Sequence, residues 1–175
     1  MRPFTVGRHH PDSLYWEVDA FDFNSAYLNS ELGENEEIYM EEPPGYETLG
    51  EQSMVRLQKA IYGLKQARRK WYDALSCILM DIGFSVSGAD PGVFVACEGE
   101  HILILAAHVD DCIITGGSPE LIKDFKMKLN DCYALTDLGP VQWLLGIKVT
   151  RNCEARTISL SQEGYIASIL EWFSL

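Results

Sequence analysis

Ile102-Leu103-Ile104-Leu105-Ala106-Ala107-His108-Val109-Asp110-Asp111-Cys112-Ile113-Ile114-Thr115 sets two adjacent aspartates between two apolar runs, and Gly116-Gly117 follows. The flanking runs are aliphatic or β-branched, so they read as two strands joined by a tight turn. Two like charges at the tip of an apolar hairpin repel each other and resist desolvation, so they need open water or a cation. Two readings of this pair stand side by side. A solvated acidic turn is the commoner, because aspartate is an ordinary turn residue; a divalent-metal site is the sharper.

A third carboxylate ends an earlier strand. From Tyr15 onward, Trp16, Val18, Ala20 and Asp22 alternate with Glu17, Asp19, Phe21 and Phe23, which is strand periodicity. Asp22 thus closes the face that carries Trp16, Val18 and Ala20. Asn24 to Leu32 reads as a capped helical turn stopped by Gly33, which puts helix-start amides just beyond the carboxylate. If the two elements neighbour each other in an antiparallel sheet, Asp22, Asp110 and Asp111 converge. Such a set of hard oxygens suits two magnesium ions about 3.5 to 4 Å apart, the arrangement used in phosphoryl transfer.

The remaining elements follow from the same periodicities. Short strands are expected at 38–40, 55–57, 93–97, 143–149 and 157–160, with Gly146 marking a bulge or a close backbone approach. The longest helix carries a stripe of Leu64, Ala67, Trp71, Ala74, Ile78 and Ile82. Ser118-Pro119-Glu120 starts a second helix, which runs to about Asn130 and buries Leu121, Ile122, Phe125 and Leu129. Asp137-Leu138-Gly139-Pro140 reads as a loop. Ser161 caps a last helix whose Tyr165, Ile166, Ile169, Leu170 and Phe173 form an apolar face; it docks back, or the chain is cut short at Leu175.

The 175 residues are 47% hydrophobic and carry a formal net charge of -12. This excludes broad phosphate neutralisation, so any contact with nucleic acid must be local. Lys65, Arg68, Arg69 and Lys70 form a basic cluster against that background. A solvated helix face is the plain explanation, and the reversal of sign is the informative one. Cys77, Cys97, Cys112, Cys132 and Cys153 lack zinc spacing and read as reduced, mostly buried thiols. Residues 1–14 read as a loosely ordered leading segment whose His9-His10 pair is only a weak metal signal. With no signal core and no apolar run of membrane length, the expectation is a soluble intracellular protein.

Several ordered blocks resemble the reverse transcriptase of copia-type LTR retrotransposons. They are Phe21-Asp22-Phe23-Asn24-Ser25-Ala26-Tyr27-Leu28-Asn29, Glu37-Ile38-Tyr39-Met40-Glu41-Glu42-Pro43-Pro44-Gly45-Tyr46, Ala60-Ile61-Tyr62-Gly63-Leu64-Lys65-Gln66-Ala67, His108-Val109-Asp110-Asp111, Asp137-Leu138-Gly139-Pro140, Leu145-Gly146 and Leu160-Ser161-Gln162. The resemblance runs from about residue 15 to the C-terminus. It implies an α+β polymerase palm over 15–150, with helices packed on one face of an antiparallel sheet. Residues 151–175 would then begin the thumb or connection with a hairpin and helix, fingers and thumb being largely missing.

By the same resemblance, Asp22, Asp110 and Asp111 are the catalytic residues, and together with Phe23 they hold two Mg2+ or Mn2+ ions. Asp22 and Asp110 would bind most directly, and Asp111 more weakly. Asn24, Ser25, Ala26, Tyr27, Gly63, Lys65 and Gln66 would meet the nucleotide, with Tyr27 crowding the sugar 2′ position. Arg68, Arg69, Lys70, Leu145 and Gly146 would contact template-primer. The partners implied are an RNA or DNA template-primer, a deoxynucleoside triphosphate and the rest of a Pol polyprotein, within a cytoplasmic particle or the nucleus. Two positions depart from the family pattern: His108 stands where it has tyrosine, and Arg68 where it has proline.

The resulting expectation is RNA-directed DNA polymerase chemistry by two-metal nucleotidyl transfer, weak or absent in the isolated chain. The alternatives are a non-catalytic relic or co-opted protein-binding module, and another metal-dependent phosphoryl-transfer enzyme.

Overall fold

The computed structural model describes residues 16–33, 35–45, 54–155 and 157–174. The expected leading segment with His9-His10, together with Tyr15 and Tyr46, lies outside them. The chain forms two compact units: one is the chain up to Asn24 and from Leu79 onward, the other Ser25–Ile78.

The first unit is built on a six-stranded antiparallel sheet in the order β4-β5-β6-β7-β1-β8. Its strands are β1 (Glu17–Phe23), β4 (Ser85–Val86), β5 (Val93–Glu98), β6 (His101–His108), β7 (Asp111–Gly116) and β8 (Leu135–Pro140). The expected loop at Asp137–Pro140 is therefore part of an edge strand. Proline is tolerated at an edge, and a register shift against β1 between Ala20 and Phe21 leaves Leu138 without an opposite residue.

Helix α2 (Pro119–Cys132) packs on β7 and β8. Its start follows the sequence signal: Ser118 Oγ accepts from the Leu121 amide, and Pro119 occupies the first turn. Ile122, Phe125 and Leu129 are buried, whereas Leu121 is only half-buried. The sheet residues on this side alternate in register. Phe21 opposes Cys112, and Phe94, Leu105 and Ile114 line up across three strands. All five are buried, and burying a large side chain of this kind is worth about 1.5–3 kcal/mol.

Lys126 lies within this buried stripe, one turn from Ile122 and from Leu129. Its Nζ donates to Asp19 Oδ2 at 2.6 Å and to Asp137 Oδ1 at 2.7 Å. Asp19 and Asp22 are three residues apart on one strand and so point to opposite faces. Asp22 therefore stands on the sheet face away from α2, with Asp111 and Ile113.

Three further strands, β9 (Trp143–Leu144), β10 (Ile147–Asn152) and β11 (Thr157–Ser161), form a second antiparallel sheet, followed by α3 (Glu163–Trp172). Gly146 is not a mid-strand bulge. Leu145 and Gly146 both have positive φ (50° and 77°) and turn β9 into β10, as in a type I′ hairpin. The apolar face of α3 is exposed: Tyr165, Ile166, Leu170 and Phe173 all remain open to solvent. The docking expected from its periodicity is not made among the described residues, because an apolar stripe specifies a preference for burial and not a partner.

The unit Ser25–Ile78 holds a two-stranded sheet, β2 (Tyr39–Glu41) with β3 (Met54–Arg56), and most of α1 (Ala67–Asp81). The buried face of α1 is Ala67, Trp71, Leu75 and Leu79, so the expected stripe is rotated: Ala74 and Ile78 flank it at half burial. Asn24 to Leu32 does not form a capped α-turn. Ser25 is left-handed (φ 54°) and makes no side-chain cap, and only Ala26–Asn29 closes as a 3-10 turn. Of the five cysteines only Cys112 is buried; the other four are free and exposed, at strand ends, in turns and on outer helix faces that apolar periodicity does not mark.

Gly116 ends β7 with no room for a side chain, since a Cβ there would sit 2.6 Å from Leu103 Cδ2 and 2.9 Å from the Ile102 carbonyl oxygen. Gly116→Ala is expected to cost about 1–3 kcal/mol of stability by overpacking, read as a lower urea midpoint with an unchanged m-value.

Candidate metal and nucleotide site

The hairpin β6–β7 reverses in two residues. His108 pairs with Asp111, leaving Val109 and Asp110 as the turn. Val109 has φ 62°, while Asp110 has no positive φ, the sign pattern of a type II′ turn, whose first position favours glycine. A β-branched residue in this region is a true outlier, of the kind that concentrates at functional sites. The short turn sets both aspartates at the sheet end beside the last residues of β1. Asp22 pairs directly with Asp111, and the Phe23 amide donates to the Asp110 carbonyl oxygen at 3.1 Å.

The electrostatics record this convergence. Burial raises the Asp22 pKa above its ordinary value, and the charges of Asp110 and Asp111 add to the rise. Burial pushes the Cys112 thiol up strongly, helped by the same three carboxylates; it is inert as a nucleophile. His108 is exposed at the rim opposite Asp111.

Among the described residues, no group of three or more His, Cys, Asp or Glu side chains is gathered so as to hold a metal ion as it stands. The donor chemistry nevertheless fits. Carboxylate oxygens are the hard ligands magnesium and manganese take, and a cation would offset both the burial and the repulsion that raise Asp22.

Around the triad, Phe23 is buried, its ring edge-on to Phe21 at 5.5 Å and to Tyr133 at 6.4 Å. The Asn24 amide donates to the Ala134 carbonyl oxygen at 2.9 Å, and Asn24 Oδ1 accepts from Thr136 Oγ1 at 2.9 Å. Leu145 and Gly146 form the β9–β10 tip in the same unit.

In the unit Ser25–Ile78, the left-handed Ser25 is exposed and Ala26 is buried. Tyr27 lies against Tyr62, with ring centroids 4.5 Å apart. Gly63 has φ 95°, Lys65 is exposed and Gln66 half-buried. The basic cluster is partly neutralised from within: Arg69 pairs with Asp73 at 3.1 Å and Lys70 with Glu36 at 3.0 Å, while Arg68 is exposed. The Lys70 hydrogen bond, with one from the Gly33 amide, lowers the Glu36 pKa.

Against this geometry, the sequence profile described as "Reverse transcriptase (RNA-dependent DNA polymerase)" matches residues 13–175. The chain belongs to the reverse transcriptase family. The chain is 39% identical over 165 residues, 93% of its length, to the "Retrovirus-related Pol polyprotein from transposon TNT 1-94" of Nicotiana tabacum, of which it covers 12%. It is 35% identical over 156 residues, 89% of its length, to the "Retrovirus-related Pol polyprotein from transposon RE1" of Arabidopsis thaliana, of which it covers 10%. It thus spans about a tenth of the length of these relatives. Among the described residues, no helix is long and apolar enough to cross a membrane.

Three features of the chain escape a reading of motifs. One is the Thr136 contact to Asn24, which depends on a strand read as a loop. Another is the conformation of Val109. The third is Lys126 with Asp19 and Asp137, for which a lysine inside an apolar helical stripe was the available signal. Burial alone would raise Asp137, but hydrogen bonds from Lys126 and the Gly139 amide, with the lysine's charge, hold its pKa below the ordinary value.

A raised folded pKa makes ionised Asp22 a destabilising group once pH rises through that value. Asp22→Asn is expected to stabilise the metal-free chain at about pH 7, with the gain gone at about pH 3, where the wild-type carboxyl is protonated folded and unfolded alike. Urea unfolding of both proteins at the two pH values checks this.

Proposed function

We propose that this chain is the catalytic palm of an RNA-directed DNA polymerase of the copia type, with residues 15–150 as palm and 151–175 as thumb or connection. The observation that carries the reading is the register that faces Asp22 with Asp111 and ties Phe23 to Asp110, on the sheet side away from α2. Asp22, Asp110, Asp111 and Phe23 would hold two magnesium or manganese ions, which when bound supply Lewis-acid stabilisation for nucleotidyl transfer. Asp22 and Asp110 would bind most directly, and Asp111 more weakly.

In this reading Asn24, Ser25, Ala26, Gly63, Lys65 and Gln66 serve the nucleotide, and Tyr27, backed by Tyr62, crowds the sugar 2′ position in favour of deoxynucleotides. Arg68, Arg69 and Lys70, and separately the Leu145-Gly146 turn, serve the template-primer. No side chain forms a covalent intermediate, so catalysis rests on positioning and charge stabilisation.

A second reading, a non-catalytic protein-binding module, is favoured by the net charge of -12, which works against phosphate binding. Extension of a primed RNA template with magnesium or manganese separates the two. The polymerase reading expects extension that drops by roughly 100-fold or more in Asp110→Asn. It also expects manganese to raise the melting temperature of the wild type and not of the variant. A chain that neither extends nor gains stability from manganese belongs to the second reading.

A further inference from the structure

Lys126 is the only charged side chain that is buried among the described residues. A buried ion pair is seldom a source of stability, since well-packed apolar side chains do as well or better. What it supplies that leucine would not is direction: two short hydrogen bonds fix two carboxylates at defined points, whereas an apolar contact tolerates sliding. The points fixed here are Asp19 on β1 and Asp137 on β8, and the register shift between those strands falls at Ala20/Phe21, just beyond Asp19.

Past that shift lies the end of β1 that matters. Asp22 pairs with Thr136, whose hydroxyl donates to Asn24, and the Asn24 amide reaches Ala134. A one-residue slip of β8 along β1 would break both contacts and turn every side chain of the slipped strand to the other face.

We infer that Lys126 is a positioning residue: by tying β1 to β8 at their register shift, from the sheet face opposite the triad, it sets the place of Asp22 against Asp110 and Asp111. The inference deepens the metal-site reading and rests on it for its functional readout alone.

The test pairs hydrogen exchange, followed residue by residue, with manganese titration of the full chain. Three variants are compared: Lys126→Met, Lys126→Arg, and Asp137→Asn, which keeps the Asp19 pair and an acceptor for the Gly139 amide but takes the charge out of the tie to β8. The expected result for Lys126→Met is local. The Phe23 and Asn24 amides exchange about tenfold faster or more, β5–β6 amides stay protected, and manganese affinity falls about tenfold; Lys126→Arg restores most of both. Asp137→Asn shifts the Asn24 amide in the same direction even if Lys126→Met fails to fold.

Exchange that speeds uniformly across the sheet, or manganese affinity that holds while only stability falls, overturns the inference and leaves Lys126 a structural residue. If wild-type manganese binding is indifferent to Asp110→Asn, the metal-site reading fails instead, and the exchange pattern still decides whether Lys126 sets the strand register.

Discussion

Asp22 and Asp111 occupy directly opposed positions on neighbouring antiparallel strands, and like charges so placed resist the pairing that brings them together. Much of the first unit serves to impose that pairing. On the other face of the same sheet, Phe21, Cys112, Ile114, Leu105 and Phe94 are buried in register, and their burial offsets the repulsion several times over. β1 is also hydrogen-bonded on both sides, to β7 and to β8, so it has no edge along which to relax. The apolar face decides which side of the sheet is buried, and the β1–β7 register places the carboxylates on the other.

The same division explains what the sequence disclosed. The hairpin, the two strands carrying the aspartates and the start of α2 each have a local cause in alternation, turn length or a Ser-Pro-Glu cap, and each appears where that cause predicts it. The convergence of Asp22 with Asp110-Asp111 is not local; ordered family blocks suggested it, and the strand order supplies it. The misreadings share a source. β8 contains Asp137, Gly139 and Pro140, all turn formers, and becomes a strand only because β1 offers a partner with room for a bulge. Leu145-Gly146 reads as strand interior by hydrophobicity, yet two positive φ values make it a turn.

The helices show the other limit of periodicity. In α1 the apolar residues nearly encircle the helix, so pattern alone could not choose between Ala74 and Leu75 as the buried side. In α3 the pattern is clear but its face stays open. In α2 the pattern marks Ile122, Phe125 and Leu129 but overstates Leu121, and it omits Lys126 because a lysine contributes nothing to an apolar count. Its burial follows from its position: it lies one turn from Ile122 and from Leu129 on the buried side of the helix, where Asp19 and Asp137 accept from it.

The two-residue turn at Val109-Asp110 has a consequence for how this site can vary. Strand side chains alternate with a period of two, so which side of the sheet the aspartates occupy depends on the register in which the two-residue link joins the strands. A one-residue slip of β7 against β6 would carry Asp111 onto the apolar side beneath α2, exchanging it with Cys112. The acidic tip is thus protected by parity as well as by its tie to Phe23: the chain can change what stands beside the aspartates far more readily than it can change the register of the strands.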